Sequence, residues 1–436
     1  MDRVFDVREQ RRWYWYDWAN SAFTTTVVTL FFGPYITSIA RAAADAQGNI
    51  DVLGFQLDYG AYWATLVALS VITQVFVLPV LGSIADASPR KKWLLAGLCY
   101  TGSLATMAMF FIEGKEYLVG GGLFLIANLA FGGSNVVYNS FLPEIASEED
   151  RDAVSSKGYA LGYVGGASLL AINLAVFTFA EKLGISTGLA VRLSLASAGV
   201  WWGGFALIPL FGLRNRPPVR PRLAGRNVVI ESFRSLAQTI AHMFGYKETL
   251  LYMCAYLFFN DAVQTVITLA GQFGSEELKI PQATLTAVIL MVQIVAMPGA
   301  LIFSRLASKI TTKWAIFTAL MIWSLVVLAM WGLVTDTKGF VIAAAVVAIV
   351  MGGTQALSRS LFSLLIPAGR EAAYFSLYEI GDKGTSWIGP TIFAIVRNQT
   401  KSYRSGILSL VGLFAIGMIL LYFVNVKKAT EEALRG

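Results

Sequence analysis

The 436-residue chain carries one histidine, two cysteines and only 14% charged residues, and each scarcity closes a class of function. With His242 as the sole imidazole, neither a histidine-based metal cluster nor a Ser-His-acid triad can be assembled. Hydrolytic or redox enzymology has little left to stand on. Cys99 and Cys254 both fall in apolar stretches, where a buried free thiol is expected and a disulfide is not. No Gly-x-x-x-x-Gly-Lys-Ser/Thr loop occurs, and the polar segments are too short for an ATPase domain. Nothing in the chain requires a cofactor.

What is abundant is apolar. Hydrophobic residues make up 56% of the chain and the mean hydropathy is +0.62, whereas a soluble domain is about one-quarter charged. Runs of about 20 apolar residues suffice to cross a hydrocarbon core of ~30 Å. They occur near 13–40, 59–81, 93–112, 117–138, 158–180 and 190–212, and again near 248–272, 283–305, 314–334, 339–361, 372–396 and 403–425. Six plus six predicts an all-α membrane protein of twelve spans.

Most of the 34 lysines and arginines flank these spans on one side. By the positive-inside rule both termini are then cytoplasmic, which suits a multi-pass protein of a bacterial inner (plasma) membrane. The net charge of +7 is explained by this topology, so nucleic-acid binding is not read into it. The first span follows Arg11-Arg12, is longer than a signal h-region and lacks a small-residue cleavage site, so it is expected to persist as a helix.

The chain also repeats itself. Gly132-Gly133-Ser134-Asn135 followed by Ser140 recurs as Gly352-Gly353-Thr354-Gln355 followed by Ser360, each pair 220 positions apart. In the same order Asn20, Ala22 and Thr25 match Asn260, Ala262 and Thr265, and Lys92-Trp93 matches Lys313-Trp314. Two related halves, residues 1–212 and 248–436, point to a transporter with its site at their seam. The linker, 213–247, opens with Arg214, Arg216, Arg220, Arg222 and Arg226 among prolines. Within it Val229, Phe233, Leu236, Ile240 and Met243 predict an amphipathic helix over 227–244, lying on the inner leaflet or packed beneath the bundle.

Between the second and third spans, Leu81-Gly82-Ser83-Ile84-Ala85-Asp86-Ala87-Ser88-Pro89-Arg90-Lys91-Lys92 resembles the loop signature of the major facilitator superfamily. The resemblance implies that Gly82 permits a tight turn and that Asp86, Arg90 and Lys91 form a charge network holding the cytoplasmic gate closed. Pro89 stands where that family usually has glycine, and the second-half copy, Ser304 to Lys309, has no acid. Tyr16-Asp17-Trp18-Ala19-Asn20-Ser21-Ala22-Phe23, Tyr138-Asn139-Ser140-Phe141-Leu142-Pro143, Asn260 to Thr265, Gln355 to Ser360 and Gly381-Asp382-Lys383 with Gly389-Pro390 resemble the vacuolar amino-acid-effluxer-like branch. That implies two six-helix halves around a central cavity, alternating access, and efflux of amino acids or similar metabolites.

Charge inside a membrane costs about 2.5–3.5 kcal/mol at a helix centre and must face a cavity or a partner. Asp17, Asp261, Arg359, Glu379 and Lys383 meet that description. Asp261 shares a helix face with Gln264, which Asn260 also reaches. It is read either as a contact for a substrate amine or coupling proton, or as a cap pinning helices together. Asn20, Thr24 and Gln355 complete the polar wall of the expected substrate site. Glu379 and Lys383 suit a helical ion pair, with Lys383 the cation for a substrate carboxylate. Asp17 and Arg359, nearer the cytoplasmic ends, are assigned to the gate. Trp13, Tyr14, Trp15 and Tyr16 read as an interfacial aromatic belt. Gly158, Gly162, Gly165 and Gly166 read as a helix-crossing seam, and Gly389-Pro390 as a bend in the eleventh span. The whole predicts a monomeric secondary transporter in the bilayer, with a small-molecule substrate and coupling to protons. A lipid flippase or drug exporter on the same fold is the alternative.

Overall fold

The computed structural model describes residues 5–219, 245–384 and 388–435. Among these, eleven helices are long and apolar enough to cross a membrane. They are α1, Val7–Ala43; α2, Tyr59–Ala87; α3, Lys91–Phe111; α4, Tyr117–Ile145; α5, Arg151–Thr178; α6, Thr187–Gly212; α7, Lys247–Glu277; α8, Thr284–Ile310; α9, Thr312–Gly332; α10, Thr337–Leu364; and Tyr403–Phe423. The remaining expected span is described in two parts, α11, Glu371–Gly384, and α12, Ile388–Thr400, with 385–387 outside the described residues, and Tyr403–Phe423 is α13. An amphipathic α14, Val426–Arg435, follows. Among the described residues the only sheet is a hairpin, Asn49–Val52 against Phe55–Asp58.

Helix starts are set by side-chain caps where the sequence supplies them: Asp6, Ser186 and Asp336 accept backbone N–H groups of Arg8, Leu189 and Gly339. Residues Phe23–Phe31 of α1 are π-helical, and Thr29 Oγ1 donates to the Thr24 carbonyl five residues back. Two separate hydrophobic cores result. One draws on residues from Trp13 to Leu213 together with Ala372 of the second half, the other on residues from Tyr252 to Ala429. The glycines of α5 form the expected seam with α1, since a Cβ on Gly165 would lie 2.5 Å from the Trp18 carbonyl oxygen.

One expectation is corrected. Trp13 and Tyr16 do not sit in an interfacial belt; both are completely buried, and Trp13 stacks on Tyr138 with ring centroids 4.4 Å apart. Gly389-Pro390 lies at the beginning of α12 as described, and residues 385–387, just before the expected bend, lie outside the described residues. The predicted linker helix over 227–244 lies outside the described residues. The start of the linker is tied to α1 by Arg214 to Asp6 and Arg216 to Glu9, both at 2.7 Å.

Candidate functional site

Among the described residues, the hydrogen bonds seen between the halves gather toward one end of the molecule. Call the face with Val7 and α14 the terminal face, and its opposite the distal face. Asp86 near the end of α2 accepts the backbone N–H groups of Ala372 and Ala373, each at 2.8 Å, and so caps α11 across the seam. A carboxylate at a helix N-terminus satisfies orphan donors and opposes the helix dipole. Gly82, one turn earlier, lets the backbones close: a Cβ there would lie 3.0 Å from Ala373 Cα. The second half has no acid at the matching position, yet a latch exists, because Thr312 Oγ1 donates to Asp152 Oδ2 of α5 at 2.6 Å. Arg151 Nη1 donates to the Ser363 carbonyl at 2.8 Å.

The other implied gate residues are placed differently. Lys91 pairs with Glu144 at 2.7 Å and donates to the Ser140 carbonyl, within its own half. Arg90 is exposed, and it is its backbone N–H that donates to Ser88 Oγ. The α2 carboxylate thus engages a helix end, while the expected network with Arg90 is not formed.

Deeper along the seam, Arg359 of α10 meets Asp17 of α1. Nη2 lies 3.1 Å from Asp17 Oδ2 and Nη1 3.3 Å from Oδ1. The guanidinium also donates to Asn139 Oδ1, Ser155 Oγ and the Ser155 carbonyl, and Tyr138 donates its hydroxyl to Asp17. Its carbon sits 4.8 Å from the Trp13 ring centre and 4.2 Å from that of Tyr159. At 2% and 8% exposure, Arg359 and Asp17 are a dry ion pair whose donors are saturated. Glu379 turns toward the first half, its Oε1 accepting from Asn139 Nδ2 at 3.0 Å. The side chain of Lys383 lies outside the described residues.

The last inter-half bond on the way to the distal face is Tyr163 OH to Gln355 Oε1, 2.5 Å. Beyond it the halves share no hydrogen bond among the described residues. Thr24 is exposed, and Gln264, Gln355 and Asp382 are half-buried. These partly exposed polar side chains are the ones a cavity between the halves, open toward the distal face, would present on its floor.

On that floor Asp382 Oδ1 accepts from Tyr256 OH and Asn260 Nδ2 at 3.1 Å each, and from Gln264 Nε2 at 3.4 Å. The three donors recur every four residues along α7 and so form one stripe. Asp261 is rotated off that stripe. It is fully buried and its Oδ2 accepts the Gly389 N–H at 2.5 Å, capping α12. In the first half Asn20, the repeat counterpart of Asn260, donates instead to Asn135 at 2.8 Å. The groups that sequence reasoning missed are Asp382, Tyr256, Tyr163 and Asn139. Asp382 stood in a motif already singled out, and Asn139 is the repeat partner of Arg359 at a spacing of 220.

A family described as vacuole effluxer Atg22 like matches residues 6–434. The MFS-type transporter YxiO of Bacillus subtilis (strain 168) is 30% identical over 98% of this chain and 96% of its own length. Autophagy-related protein 22 of Botryotinia fuckeliana (strain B05.10) is 26% identical over 92% and 82%. Two solved transporters share the fold. FucP, of the major facilitator superfamily and in its outward conformation, gives a TM-score of 0.69 at 14% identity, covering 96% of this chain and 98% of FucP. A bacterial homologue of the iron transporter ferroportin, outward-facing, gives 0.68 at 12%, covering 95% and 98%.

Proposed function

Because the chain belongs to the vacuole effluxer Atg22-like family, a branch of the major facilitator superfamily of transporters, we propose that it moves a small amine-bearing metabolite, an amino acid or close relative, by alternating access. The observation that carries this reading is the half-buried Asp382 carboxylate at the floor of the distal cavity. Three uncharged donors on one face of α7, Tyr256, Asn260 and Gln264, orient it. Tyr256, stacked on Tyr378 at 4.4 Å, adds an aromatic face suited to an ammonium group. A polar floor of this kind favours a water-soluble solute over a lipid tail.

The distribution of basic residues supports a cytoplasmic terminal face, in which case the state described is outward-open. Residence in a bacterial inner membrane, export as the working direction and action as a monomer belong to the same proposal. So does proton coupling, for which Asp382 and Glu379 are the carboxylates facing the seam. The test is a thermal-shift and proteoliposome series with zwitterionic amino acids, amines and uncharged analogues, run on the wild type and on Asp382→Asn. The expected result is stabilisation by amine-bearing solutes that the substitution removes. Equal responses in both proteins would overturn the reading.

A further inference from the structure

A second site, distinct from the floor of the central cavity, lies where α7 and α12 part near the distal face. The two helices touch at Gly389, where a Cβ would lie 3.0 Å from Thr265 Cβ. Farther out they enclose a cavity of about 520 Å³, within the size range of small-ligand sites. Its inner wall carries Leu269, Pro390 and Phe393 beside the polar Gln272 and Asn398, and its outer rim is basic, from Arg397 and Lys401.

These two cations differ from their neighbour Arg404. Arg404 is consumed structurally: it pairs with Glu277 at 2.7 Å and donates to the carbonyls of Met330, Trp331 and Val334. No carboxylate lies within ion-pair distance of Arg397 or Lys401 among the described residues. Each is nevertheless held in place. The Arg397 guanidinium carbon lies 4.0 Å from the Tyr403 ring centre, and Lys401 Nζ donates to Asn398 Oδ1 at 3.0 Å. Lys401 also adopts a left-handed backbone, φ 57°, at the position after α12 where glycine is usual, and its N–H closes on the Arg397 carbonyl at 2.7 Å. A lysine retained in a conformation that favours glycine points to a use for its side chain.

We propose that this cleft binds an anionic amphiphile, a carboxylate or phosphate head on an apolar stem. The head would sit between Arg397 and Lys401 and the stem against Leu269, Pro390 and Phe393. A purely polar anion would leave these three apolar side chains uncovered, and a neutral lipid would leave the cations unmatched. The ligand could be a soluble metabolite or a lipid of the surrounding leaflet, since both present the same chemistry. The proposal does not depend on the amine site at Asp382, which is not among the residues lining this cleft.

The experiment uses the full chain in detergent, with octanoate, octyl phosphate, octanol and inorganic phosphate as probes in a thermal-shift titration. R397Q/K401Q and, separately, A394W are the variants, Ala394 being an exposed lining residue whose enlargement fills the cleft and keeps both cations. Octanoate and octyl phosphate should stabilise the wild type, octanol should not, and inorganic phosphate should act only weakly. Half-saturation should weaken about tenfold in R397Q/K401Q, as expected for two partly exposed ion pairs, and A394W should lose the response to both amphiphiles. Native mass spectrometry from nanodiscs separates the sources. Retention of phosphatidylglycerol over phosphatidylcholine, lost in R397Q/K401Q, identifies a lipid; equal loss of both with the octanoate response intact identifies a soluble metabolite. Equal stabilisation by octanol and octanoate, or undiminished octanoate binding in both variants, would overturn the proposal. Retained stabilisation of R397Q/K401Q by amine-bearing solutes shows that this variant is folded and keeps a failure here separable from a failure at Asp382.

Discussion

Arg359 Nη1 donates to Asn139 Oδ1 at 3.3 Å, and the two residues occupy equivalent places in the repeat, 220 positions apart. The pseudo-twofold relation between the halves therefore passes between them. A duplicated position has diverged into an arginine on one side and its acceptor on the other. Around this point the first half contributes Asp17, Tyr138 and Ser155, and the second half contributes Glu379. Any rocking of the halves must break these bonds.

Arg359→Gln should be costly. Removing one member of a buried pair leaves Asp17 uncompensated, at about 3–5 kcal/mol, and the pair spans the seam. A lower melting temperature is expected together with opening of the terminal face. Ala160, packed between the halves with Ala300 and Ala356, reports the second effect: maleimide labelling of Ala160→Cys, with Cys254 replaced by Ser, should accelerate in the Arg359→Gln background. Unchanged labelling would show that the pair stabilises the fold without holding the seam.

Asp86→Asn should act more gently. The amide still accepts one of the two α11 N–H groups but loses the second bond and the charge against the helix dipole, together about 1–2 kcal/mol. The sealed state should lose about tenfold or more of its population, with little change in melting temperature. The same labelling assay measures it, and Asp86→Ala should exceed Asp86→Asn.

Gly82→Val tests closure sterically. The added side chain meets the backbone of Ala372 and Ala373 and not a flexible tip, so the halves cannot seal at the terminal face. The protein should remain folded, label readily at the seam and lose nearly all transport. Wild-type transport by Gly82→Val would show that α2 and α11 do not need this approach.

Asp261→Asn should leave substrate binding and its pH dependence intact, because Asp261 caps α12 and does not face the cavity. A stability loss of about 1 kcal/mol is expected from the weakened cap. Loss of ligand-induced stabilisation without loss of fold would return Asp261 to the substrate site.

Hydrophobic length, charge asymmetry and the internal echo are properties of the chain taken in order. They determined that this is an all-α membrane protein of twelve spans, and where the resemblances to a transporter family lie, before any contact was known. Asp86 was legible as a gate residue because one local motif carries it and Gly82 together, but Gly82 lies within α2 and makes no turn, and Asp86 engages the backbone of α11 and not Arg90. Which intramembrane acid lines the cavity could not be read in the same way. Spacings of three and four residues both place side chains on one helix face, so the sequence sets Asp261 beside Asn260 and Gln264 and gives no sign that Asp382, on another helix, is the acid they reach. Only packing of α7 against its neighbours sets the rotation that turns the Tyr256, Asn260 and Gln264 stripe to Asp382 and turns Asp261 about 100° away, toward the start of α12. The partner of Arg359 was likewise a matter of tertiary structure, because the 342 positions separating it from Asp17 carry no local signal, and the contact exists only when the two halves close on one another.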